Sequence, residues 1–70
     1  MELTVVVRKD GASYWSEVAQ LPGCFASGRT LDELGEALAE ALGLYLNDDE
    51  LELSGPRLGV GTNSVRVSGR

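Results

Sequence analysis

The chain has no histidine, one cysteine, two prolines and only four aromatic residues among its 70 positions. Without histidine it lacks the commonest general base near neutral pH and the commonest nitrogen ligand for transition metals. A single cysteine, Cys24, excludes an internal disulfide. That thiol also has no imidazole in the chain to take its proton, so a nucleophilic role lacks its base. A small buried side chain in a reducing compartment fits it better. Basic residues are few as well. Arg8, Lys9, Arg29, Arg57, Arg66 and Arg70 are scattered and stand against eleven acidic residues, for a net charge of −5. Affinity for phosphate backbones comes from clustered Lys and Arg, so direct DNA binding is not expected. No apolar run approaches the ~20 residues of a membrane span, and no charged and apolar leader follows Met1. The expected location is the cytoplasm.

Seventy residues predict one domain, 1–70, that buries only roughly 60–65% of the surface its unfolded chain exposes. With neither disulfide nor histidine-based metal site to support so thin a core, self-association into a dimer or larger species is the expected remedy.

Residues 2–8 are rich in β-branched side chains, with Leu3, Val5 and Val7 on one face and Thr4, Val6 and Arg8 on the other, which predicts a first strand. Asp10-Gly11 supplies hairpin turn chemistry. A second strand follows over 13–20, where Tyr14, Ser16 and Val18 alternate with Trp15, Glu17 and Ala19. Leu21, Pro22 and Gly23 predict a type II turn, because proline presets the first central φ and glycine accepts the positive second one. A short third strand over 24–27 ends at Gly28.

Thr30 and Glu33 have the T-x-x-E spacing of a capping box, so a helix starts at Leu31. At 100° per residue, Leu31, Leu34, Leu38, Ala41, Leu42 and Tyr45 form one apolar stripe, with Asp32, Glu33, Glu36 and Glu40 opposite. Asn47, Asp48, Asp49 and Glu50 end it over 47–50, since acidic side chains oppose the helix dipole there. Residues 51–63 read mostly as loop, because Gly55, Pro56, Gly59 and Gly61 interrupt any pattern. Those glycines lack the G-K-[ST] of a phosphate loop. Residues 64–68 alternate as a last strand before a frayed Gly69-Arg70 end. The fold class is therefore α+β, in the order β-β-β-α-β. A three-stranded antiparallel meander is joined by a crossover to a strand beside the first, giving sheet order 3-2-1-4, with a single helix on one face.

Residues 14–46, carrying Tyr14, Trp15, Leu21, Pro22, Gly23, Cys24, Gly28, Thr30, Glu33 and Tyr45-Leu46, resemble the N-terminal domain of HicB-like antitoxins. The hallmark is an aromatic strand, an L-P-G-C turn and a T-x-x-E helix. The resemblance implies a truncated ribonuclease-H-like fold, a homodimer or larger assembly, and occlusion of the active site of a small basic mRNA-cleaving toxin. Complete members carry a further DNA-binding segment, for which nothing after Asn47 is long or periodic enough. Ribonuclease-H-type catalysis needs converging carboxylates on Mg²⁺, one of them in the middle of the first strand. Thr4, Val5, Val6 and Val7 stand there, so no catalytic, metal or cofactor site is expected.

Two alternatives to the antitoxin reading are an orphan homo-oligomeric interaction module and, least favoured, a small ribonuclease-H-like RNA-processing enzyme. The acidic helix face, with Glu36 and Glu40, reads either as an ordinary solvated surface or as a docking surface for a basic partner. Val6, Leu44 and either Trp15 or Tyr14 fall outside the core pattern, with Leu46 at the margin of the helix stripe, and these read either as an interface or as peripheral packing.

Overall fold

A computed structural model describes residues 2–48, 51–54 and 58–68, with the backbone alone at Ser54. The first valine-rich segment forms β1 (Glu2–Asp10), and it pairs antiparallel with β2 (Ser13–Val18), the hairpin closing where Asp10 lies opposite Ser13. The Cys24 N–H donates to the Leu21 carbonyl at 3.0 Å, and Gly23 between them has φ 86°, a conformation open to glycine at little cost. This is the type II turn that Pro22-Gly23 predicts. It delivers β3 (Phe25–Gly28), antiparallel to β2.

The helix α1 spans Leu31–Leu46. Thr30 is its N-cap, and its hydroxyl accepts the Glu33 N–H at 3.0 Å. The Glu33 carboxylate reaches one residue further back than a standard capping box and accepts the Arg29 N–H at 2.9 Å. At the other end Asn47 adopts the left-handed conformation, φ 55°, and the Asp48 N–H donates to the Gly43 carbonyl at 2.9 Å. The stop is thus a left-handed cap of the kind asparagine tolerates. Asp49 and Glu50, offered above as dipole-opposing terminators, lie outside the described residues.

Leu34, Leu38 and Leu42 are fully buried by α1 against Leu3, Val5, Val7, Val18, Val65 and Val67 of the sheet, with Cys24 and Ala26 beside them. Each buried leucine contributes roughly 1.5–3 kcal/mol, which outweighs the ~1 kcal/mol that each of Gly35 and Gly43 costs the helix. Packing therefore decides that this segment is helical. Tyr45, expected in the core stripe, is instead 47% exposed, and its hydroxyl donates to the Pro22 carbonyl at 3.2 Å.

The crossover differs from the sequence reading. The helix leads into β4 (Glu52–Ser54), read above as loop, and a second hairpin arm, β5 (Gly61–Ser68), returns between β4 and β1. The sheet order is β3-β2-β1-β5-β4, so the last strand lies beside the first as expected, while the edge gains a fifth strand. Both new pairings are antiparallel, with Leu53 opposite Val67 and Leu3 opposite Val65. Leu51, Leu53 and Leu58 pack against the core, which explains why so short a strand holds. β5 begins three residues before the alternation predicts, because the Asn63 side chain converts an apparent breaker into a staple. Its Oδ1 accepts the Gly59 N–H at 3.0 Å, and its Nδ2 donates to the Gly59 and Gly61 carbonyls at 2.8 and 3.0 Å. Gly55, Pro56 and the Gly69-Arg70 end lie outside the described residues.

Gly28 lies directly beneath the helix start, where an added Cβ would stand 2.6 Å from the Leu34 nitrogen. Around Gly35 the same atom would meet nothing within 4 Å. The substitutions Gly28→Ala and Gly35→Ala should thus have opposite signs. In urea titrations the first is expected to lose about 1–3 kcal/mol through backbone displacement and the second to gain up to ~1 kcal/mol through helix propensity.

Candidate functional site

The residues of the family-like segment converge on one joint. Tyr14 and Leu21 pack against the core, Cys24 is buried, Gly28 admits the helix start, and Thr30 with Glu33 caps it. Pro22 is exposed and is tied through its carbonyl to Tyr45. These side chains hold β2, the turn, β3 and α1 together, and their partners lie within the fold. Burial pushes the Cys24 thiol above its ordinary value of 9.0. A protonated, enclosed thiol is a packing group. Among the described residues no group of three or more Cys, Asp or Glu side chains is placed to hold a metal ion, and no helix is long and apolar enough to cross a membrane.

What remains outward is two faces of different chemistry. On α1, Glu36, Glu40 and Leu44 are exposed along one side, Leu44 at 78%, and Asp32 and Glu33 extend the acidic surface towards the N-terminus. The helix contains neither Lys nor Arg. Leu46 leaves this set, because it is half-buried against the core.

The second face is the side of the sheet that α1 does not cover. Val6 lies at its middle, the fifth of nine residues on the central strand. Cross-strand pairing sets Glu17 and Thr62 on either side of Val6, and Phe25 beyond Glu17. One row away, Arg8, Trp15 and Ser27 are aligned across β1, β2 and β3. The Arg8 guanidinium lies 5.7 Å from the Trp15 ring centroid, and the Phe25 ring stacks on Trp15 with centroids 5.6 Å apart and planes at 22°. Because β2 lies between β1 and β3, the indole is flanked from both sides. Arg8 also reaches Glu17 at 3.7 Å, and both side chains are exposed enough that the pair contributes only ~0–1 kcal/mol. These contacts arrange the face more than they stabilise the fold.

Val6 and Trp15 thus share one face as the alternation indicates, while Glu36, Glu40 and Leu44 occupy the opposite one, so the sequence-derived candidates form two surfaces. Phe25 was missed. Its signal was present in Cys24-Phe25-Ala26, where two small residues flank an aromatic and period-two alternation sends the small ones inward. A shallow depression between Ser13, Ser27, Gly28, Arg29 and Glu33 lies at the helix start, and the Glu33 carboxylate there is already engaged by a backbone N–H.

Similarity to known proteins is strongest at the level of the whole chain. It is 36% identical over 68 residues to a UPF0150 protein from Archaeoglobus fulgidus, covering 96% of this chain and 99% of that one. It is 34% identical over 56 residues to a UPF0150 protein from Synechocystis, covering 80% and 81% of the two. No protein-family model matches the chain, and no solved structure matches it.

The buried thiol has a consequence for alkaline stability. Between 9.0 and the raised folded value, the unfolded chain binds fewer protons than the folded one, so stability falls as pH rises through that window and is fully present below it. Denaturant titrations at pH 7.5 and 10 should show a smaller fall for Cys24→Ala than for the native chain. An equal fall would assign the loss to other groups.

Proposed function

The chain belongs to the UPF0150 family, and we propose that it acts in the cytoplasm as a HicB-like antitoxin, binding a small basic mRNA-cleaving toxin and occluding its active site. The observation that supports this most is the helix face bearing Glu36, Glu40 and Leu44, on an element without a single Lys or Arg. Such a surface steers a cationic protein by long-range attraction and offers an apolar anchor at short range. The resemblance of residues 14–46 to HicB-like domains supports the same reading and carries with it the truncated ribonuclease-H-like fold.

Affinity isolation of the tagged full chain from its own cells, read by mass spectrometry, should recover a small basic protein. Co-expression of that protein and this chain should restore growth that the partner alone arrests. A Glu36→Lys, Glu40→Lys double variant is expected to weaken capture about tenfold or more, through a slower association that is most marked at low salt. Recovery of the chain by itself, or growth arrest unrelieved by co-expression, would replace this reading with that of an orphan interaction module.

A further inference from the structure

We infer that the uncovered face of the sheet, centred on Val6, is the seat of a second copy of this chain, packed sheet to sheet about a twofold axis. Three observations lead there. The first is charge. A twofold contact opposes a surface to itself, so a face of one sign repels its own copy, whereas an apolar or mixed-sign face does not. The helix face fails that condition, since Glu36 and Glu40 would meet their own copies with no cation on the helix between them. On the sheet face, Arg8 pairs with Glu17 at one end and Arg66 lies opposite Glu2 at the other, with Glu52 at the edge. Both signs are present around an apolar centre, so this face meets a second copy without the uniform repulsion of the helix face.

The second observation is composition. Val6 is half-buried at the middle of the face, with the Trp15–Phe25 stack beside it and Phe25 49% exposed. Aromatic and arginine side chains around an apolar centre are what interface cores are enriched in. A nucleic-acid strand is the competing occupant of an aromatic sheet face, because bases stack on free rings. Here Arg8 and Phe25 already flank the Trp15 ring, and the face carries more carboxylates than cations. A base would have to displace Arg8 from the Trp15 ring, and a backbone meets more carboxylates than cations.

The third is area. At ~3.3 Å per residue along a strand and ~4.8 Å between strands, the five strands offer about 500 Å² of sheet per copy. A sheet pair would bury on the order of 1,000 Å², which is the lower bound for a specific interface and fits micromolar more than nanomolar association. The inference stands apart from the antitoxin reading, which uses the opposite face.

Trp15 is the chain's one tryptophan and lies on this face, so it reports directly on occupancy. Sedimentation equilibrium of the full chain from about 1 µM to 1 mM should show a monomer–dimer equilibrium, with Trp15 emission moving to shorter wavelength as dimer forms. Val6→Glu should raise the dissociation constant roughly 100-fold, since a twofold contact carries the substitution twice and each copy costs about a factor of ten. Phe25→Ser, at an exposed edge-strand position, should weaken the dimer in the same direction should Val6→Glu fail to fold. Leu44→Glu on the helix should leave it unchanged. A chain monomeric at 1 mM overturns the inference, as does a dimer that Leu44→Glu dissolves while Phe25→Ser does not. So does a monomer whose Trp15 emission responds to single-stranded RNA.

Discussion

The fold depends on one contact, the seating of Leu34, Leu38 and Leu42 on the valine face of the sheet. Among the described residues a single amphipathic helix and a five-stranded sheet enclose one layer of side chains. Everything at the joint serves that seating. Gly28 lets the helix start close on β3, Thr30 and Glu33 satisfy its first N–H groups, and Tyr45 ties its last turn to the Pro22 carbonyl. The cysteine fits the same logic, as a small apolar filler between strand and helix. So does Ser16, buried with its hydroxyl directed to the Ala26 carbonyl at 3.4 Å.

A one-layer core leaves two outward surfaces of unequal character. The helix is acidic and contains neither Lys nor Arg. The sheet side mixes both signs around aliphatic and aromatic groups. A surface of one sign selects for an unlike partner, whereas a mixed surface is compatible with its own image. The arrangement gives a 70-residue chain two outward surfaces of different chemistry on opposite sides of one layer of core side chains. The chemistry of the surfaces is what distinguishes one role from another.

Most of the architecture was legible where a residue's neighbours in sequence are also its neighbours in space. The β1–β2 hairpin, the Pro22-Gly23 turn and the Thr30 cap are local, and the helix announces itself through periodicity. The missed strand, Glu52–Ser54, has three residues and holds because Leu53 faces Val67, a pairing no local pattern shows. The start of β5 was hidden for a related reason. Asn63 and Gly61 are turn formers by propensity, and only the carbonyls of Gly59 and Gly61, bonded by the asparagine amide, make the segment extend. Tyr45 falls in the apolar stripe by angle, yet its ring is half exposed and its hydroxyl donates to the Pro22 carbonyl, a tie no local pattern shows. Of the outward surfaces, Val6, Trp15, Glu36, Glu40 and Leu44 were readable from alternation. Their division into two faces, and the addition of Phe25 to one, required the strand order.

The place of β5 has a consequence for how the molecule is made. It is the last strand in the chain, yet it lies between β4 and the central β1, and the two valines it lends the core are residues 65 and 67. A nascent chain emerging from the ribosome can form the first hairpin and the helix early. The valine layer stays open to water until residue 67 has cleared the exit tunnel. Pairing across so long a separation is slow relative to local contacts, and half-built sheets expose edges that other chains find. The acidic side chains of residues 32–40 have been made by then whether or not the helix is seated, and like charge sets such intermediates against one another, so the charge that marks the finished surface also acts on the unfinished one.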